Sequence, residues 1–185
     1  MEYTIDWAGL LCDSSKLTVV RGAEAIETDA ALFAEAIDLA LADKKKLSQR
    51  AARSAVLAAI RYPFLARPHS GRLIRAIGEL KNESIIFAFL KMFSEIELPE
   101  DEDETGHLMK LCFDFMEKPV ERIAIRIYAI EILYRITCRY PELKNELGLM
   151  IKHLMPHSPP AFQSRGSRIL KKLKNETGFN FSETF

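Results

Sequence analysis

Within KKKLSQRAARSAVLAAIRY (44–62), four bases, Lys46, Arg50, Arg53 and Arg61, fall within about 80° of one face if the segment is helical. Arginine presents a planar fork of donors that matches carboxylates and phosphates, so a row of such groups suits an acidic segment of another protein. These four are the candidate partner-binding residues. Nucleic acid is the second candidate ligand for the same stripe. The competing expectation is that the four bases are solvated or pair with Glu35, Asp38 and Asp43 of the preceding helix.

Other constellations carry less chemistry. In DEDETGHLMKLC (101–112), Asp101, Asp103, Thr105 and Gly106 stand at positions one, three, five and six of a calcium loop. The twelfth position needs a bidentate glutamate and holds Cys112, and an acidic loop opening a helix explains the same letters. HLMPH (153–157) spaces two histidines four apart, but Pro156 interrupts the helix between them. Cys12, Cys112 and Cys138 form neither a disulfide framework nor a zinc pattern and read as buried thiols in a reducing compartment, with the cytoplasm as the expected location. No catalytic residue, metal or cofactor is assigned, and the expectation is a protein that is not an enzyme.

The elements that must position the stripe are helices. ALFAEAIDLALAD (31–43) places Leu32, Phe33, Ala36, Ile37, Ala40 and Leu41 on one side, with Thr28 or Asp29 as a cap. The second helix runs on to Pro63, which cannot continue it. Antiparallel pairs are expected at 29–43 with 45–62, 69–80 with 83–96, 106–118 with 120–140, and 141–155 with 160–175. Asn82 caps one helix, and Pro119 suits the first turn of another. Shorter helices precede, near 4–12 and 15–27, and the aromatic residues Phe87, Phe89, Phe93, Phe113, Phe115, Tyr128 and Tyr134 pack between units. The layout is therefore N-terminal capping helices over 1–27, a repeat domain over 28–175 and a partly ordered tail over 176–185, as a single domain. Period-two alternation is absent, so no sheet is expected.

Composition agrees with a soluble, globular chain: 185 residues, 48% hydrophobic, 28% charged and formally neutral. No apolar run approaches the roughly 18 residues of a membrane span, and MEYTIDWAGLLCD has acids where a secretory leader has bases. The neutrality is a sum of blocks. Residues 1–43 carry nine acids and two bases, residues 44–75 nine bases and no acid, and residues 76–104 nine acids and two bases.

RYPFL (61–65) returns as RYPEL (139–143), 78 residues later, or twice 39. The shift places Ala51 on Ala129, Ala55 on Leu133 and Tyr62 on Tyr140, each segment being the second helix of its pair. A period of this length marks stacked helical repeats, in which each pair buries its apolar face against the next. The chain here resembles HEAT/armadillo-like helical repeat proteins, most clearly in DKKKLSQRAARSAVLAAI (43–60), where Asp43, Leu47, Arg50, Ala51 and Ala52 fill the family's places. Tyr128 stands where a second arginine would repeat Arg50.

The resemblance implies an all-α fold, a right-handed α-α superhelix of about four helix pairs, with second helices lining its concave surface. It also implies a non-catalytic interaction or scaffold role. HEAT-like alkylpurine DNA glycosylases share the architecture and supply the alternative, DNA binding or repair, although Trp7 lies in a terminal segment. The chain looks, too, like a group of short bacterial HEAT-like proteins, some named adenylosuccinate lyase. HLMPHSPP (153–160) is the nearest approach to that enzyme's signature loop and lacks its lysine and asparagine.

Overall fold

The computed structural model describes residues 5–118 and 122–178. These are all-α, with ten α-helices and no strand among the described residues. In order they are α1 (Trp7–Leu10), α2 (Lys16–Ile26), α3 (Ala30–Leu41), α4 (Lys45–Arg61), α5 (Ser70–Glu79), α6 (Glu83–Glu95), α7 (Glu102–Glu117), α8 (Ile123–Arg139), α9 (Lys144–Leu154) and α10 (Pro160–Thr177). The chain divides into two compact units, Met1–Glu104 and Thr105–Phe185.

The helix starts follow from their caps. Asp29, rather than Thr28, caps α3, its Oδ1 accepting from the N–H groups of Ala31 and Leu32 at 2.8 and 3.0 Å. Asn82 caps α6 through the Ser84 N–H. At α2, Ser15 Oγ accepts from the Thr18 N–H, while Asp13 accepts from the Thr18 hydroxyl and the Ser15 N–H, both at 2.7 Å. Those bonds hold the Asp13 carboxyl down at about 2. α7 starts earlier than the expected 106, because Asp101 Oδ1 accepts from the Glu104 N–H and turns residues 102–104 into a first helical turn. That places the would-be calcium ligands Asp103 and Thr105 on a helix, where they cannot wrap an ion. Pro119 and the end of the tail, 179–185, lie outside the described residues.

In the first unit α4 is the central helix and packs against α2, α3 and α6. Its alanines, Ala51, Ala52, Ala55, Ala58 and Ala59, are all fully buried and let neighbouring helices approach closely. The α2–α4 crossing is close at Gly22, where a Cβ would stand 2.9 Å from both Leu11 Cδ2 and Ser54 Cβ. Phe33, Ile37, Phe89 and Phe93 are among the large side chains fully buried in this core. Phe87, Phe113, Tyr128 and Tyr134 are only half-buried.

In the second unit α10 packs on α8 and α9, with Phe162, Ile169 and Leu173 buried. Polar ties accompany it. Arg165 pairs with Glu131, the Tyr134 hydroxyl donates to Glu176 at 2.6 Å, and Lys144 reaches the same carboxylate at 2.9 Å. The Tyr134 and Lys144 contacts lower the Glu176 pKa, and the same hydrogen bond pushes that of Tyr134 up. Arg126 is 7% exposed, lies 4.6 Å over the Phe162 ring and donates to Ser158 Oγ at 3.3 Å, while its Nε finds no acceptor among the described residues. Burial pushes its pKa down.

The pentapeptide echo is a structural repeat. Tyr62 ends α4 at φ −131°, ψ 77°, and Tyr140 ends α8 at φ −123°, ψ 81°. Each is followed by a 3₁₀ turn, Pro63–Leu65 and Pro141–Leu143, closed by the leucine N–H on the tyrosine carbonyl. The cysteine expectation needs correction. Cys112 is buried, which drives its pKa up, but Cys12 and Cys138 are exposed. Cys12 lies past the end of α1, and Cys138 falls on the outer side of the last turn of α8.

Candidate partner-binding surface

The four stripe residues share α4 but divide into two kinds. Arg50 is half-buried, and its Nη1 donates to the carbonyls of Leu11 and Cys12 at 2.8 and 2.7 Å. Its Nε reaches Ser14 Oγ at 3.2 Å. Arg53 donates from Nη1 to the Ser14 carbonyl at 3.0 Å. Both therefore satisfy carbonyls left over where α1 ends and the chain turns into α2. The acceptors are neutral, and Arg50 also lies within electrostatic reach of the Asp13 carboxylate, whose pKa it helps to lower. Lys46 and Arg61 are simply exposed.

The acids expected to pair with the stripe are engaged elsewhere. Glu35 accepts from Trp7 Nε1 at 3.0 Å, which ties Trp7 of α1 to α3. Asp38 pairs with Arg72 at 2.6 Å. Asp43 accepts from Asn82 Nδ2 at 3.0 Å, and Asn82 Oδ1 accepts from Gln49 Nε2 at 3.1 Å, tying the α3–α4 turn to the α5–α6 turn. Asp43 and Arg50 thus both reach neighbouring pairs, one toward the following pair and one toward the preceding pair. Other members of the basic block also find acids, Arg67 pairing with Glu97 and lying 3.8 Å from Glu100.

The start of α4 is built against its own stability. Lys44 stands at the cap position with no side-chain hydrogen bond, and Lys45 and Lys46 occupy the first turn. Positive charge there opposes the helix dipole, by about 0.3–1 kcal/mol per residue. Asp43 and Lys45 both adopt left-handed backbone, φ 48° and 47°, which side chains other than glycine seldom occupy. Ser48, fully buried, offsets part of this by accepting the Lys44 N–H at 2.8 Å and donating to the Leu39 carbonyl.

His153 and His157 are exposed on either side of Leu154, where α9 gives way to a 3₁₀ turn. No group of three or more potential metal ligands gathers among the described residues. None of their helices is long and apolar enough to cross a membrane.

Comparison with known proteins finds that the family described as HEAT repeat domain matches residues 10–173. No curated protein matches the chain, and no solved structure does.

Proposed function

The chain belongs to the HEAT repeat domain family, and on that premise we propose that it is a non-catalytic interaction module whose α4 face binds an acidic segment of another protein. The observation that carries this reading is the lysine cluster at the start of α4. It works against the helix dipole, sits on strained backbone and continues into the charges of Arg53 and Arg61. Helix stability does not account for such an arrangement, whereas an anionic partner gains from the lysines and from the helix N-terminus together. Arg50 and Arg53 hold the α1–α2 corner in register beneath that face, and Lys46 and Arg61 are the contact residues.

The test is affinity capture from nuclease-treated native lysate with the wild type and with Lys46→Glu/Arg61→Glu, which leaves the two structural arginines intact. A protein held by the wild type and lost from the variant is the expected result. Equal capture by both would place the partner surface elsewhere. Binding that is seen only when the nuclease treatment is omitted, and that falls by roughly one log unit per log unit of salt for each phosphate contacted, would assign the face to nucleic acid.

A further inference from the structure

A second surface of the first unit has the opposite charge. Between the turns after α4 and the segment joining α6 to α7 lies a groove of about 280 Å³. Its walls are apolar: Pro63, Ala66, Phe93, Ile96 and Leu98. Its rim carries four carboxylates, Glu97, Glu100, Asp101 and Glu104, against one guanidinium, Arg67. Glu104 is fixed by the Ser70 hydroxyl at 2.6 Å, and Asp101 is fixed by the Glu104 N–H at 2.9 Å. The rim is therefore an ordered set of acids.

We propose that this groove docks a basic, apolar-anchored segment of a partner protein, a leucine-sized side chain entering the groove while a flanking lysine or arginine meets the rim. Three observations carry it. The volume is at the bottom of the range for small-molecule sites and suits one or two side chains. The excess of carboxylates around an apolar centre is complementary to a lysine or arginine side chain with an apolar neighbour. The chain itself demonstrates the geometry, since Arg67 already lies across the rim onto Glu97, with Glu100 at 3.8 Å. Polar rim around an apolar centre is the anatomy of a protein interface. This surface is independent of the α4 face, and either can fail alone.

The probe is a fluorescein-labelled peptide of alternating leucine and arginine, titrated by anisotropy against the full chain at about 150 mM salt. A control peptide carries glutamate in place of arginine. Glu97→Gln/Glu104→Gln removes two rim charges with little change of shape, and Leu98→Ser removes part of the apolar wall. Circular dichroism checks both variants, and either variant alone suffices if the other does not fold. The expected result is saturable binding of the basic peptide only, weakened about tenfold or more in each variant, the equivalent of about 1.4 kcal/mol. No saturation by about 1 mM, equal binding in the variants, or equal binding of the acidic peptide would overturn the proposal. So would sedimentation showing that a second copy of the chain fills the groove and is displaced by the peptide.

Discussion

His69 stands just before α5 with its ring centroid 5.6 Å from that of Phe33. Burial in that contact lowers its pKa, the charge of Arg72 lowers it further, and Asp38 partly opposes both. A folded-state pKa below the ordinary 6.5 means the unfolded chain takes up the proton first. The resulting stability is fully present above about pH 6.5 and is lost as pH falls through the lower folded value. Wild type and His69→Gln should therefore keep a constant difference in melting temperature at and above neutrality. Below about pH 6.5 the wild type should lose ground to the variant. Parallel melting curves from pH 7.5 to 5 would remove His69 as the cause. Nothing in the letters around His69 distinguishes it from an exposed turn histidine, because its partner Phe33 is distant in sequence. Arg50 is hidden in the same way. Its acceptors are backbone carbonyls 38 and 39 residues away, and a carbonyl has no side-chain signature for a sequence pattern to detect.

Elements were far more legible than contacts, and the reason is visible at α2–α4. Periodic apolar positions and caps such as Asp29 and Asn82 act within one helix, so the sequence states them locally. The closeness of two helices depends on small residues meeting from both sides, here Gly22 on α2 and Ser54 on α4, whose Oγ also donates to the Val19 carbonyl at 3.2 Å. Gly22 can be read as a weak helix residue or as a packing necessity until the crossing is seen. Gly22→Val should cost about 1–3 kcal/mol through overpacking, despite valine's better helix propensity. For a chain of this size that is a fall in melting temperature of roughly 2–12 °C. An unchanged melting temperature would mean that α2 is not held at this distance. α7 shows the limit from the other side. Its acidic opening, DEDE, looks like a loop by composition, yet Asp101 caps it and acids at a helix N-terminus favour the helix.

At the scale of the molecule, the formal neutrality conceals a division that coincides with the two compact units. Residues 1–104 contain eighteen acids and thirteen bases, and residues 105–185 contain eight acids and thirteen bases. A neutral chain lacks the mutual repulsion that keeps proteins apart, and one with oppositely charged halves adds attraction between unlike halves of different copies. Both effects are largest where the net charge vanishes, near the sequence pI of about 6.9. Salt screens that attraction, the Debye length falling from about 30 Å at 0.01 M to about 8 Å at 0.15 M. Solubility measured across pH at about 0.01 M salt should therefore pass through a minimum close to neutrality, and the minimum should fill in at about 0.15 M. A chain equally soluble at both ionic strengths would show that the opposite charges of the two units are already compensated within each molecule. Both binding faces would then be left to compete with internal partners rather than with neighbours. The acidic groove and the α4 face would accordingly show weaker salt dependence than their charges alone require, so this measurement sets the conditions under which the two docking experiments should be read.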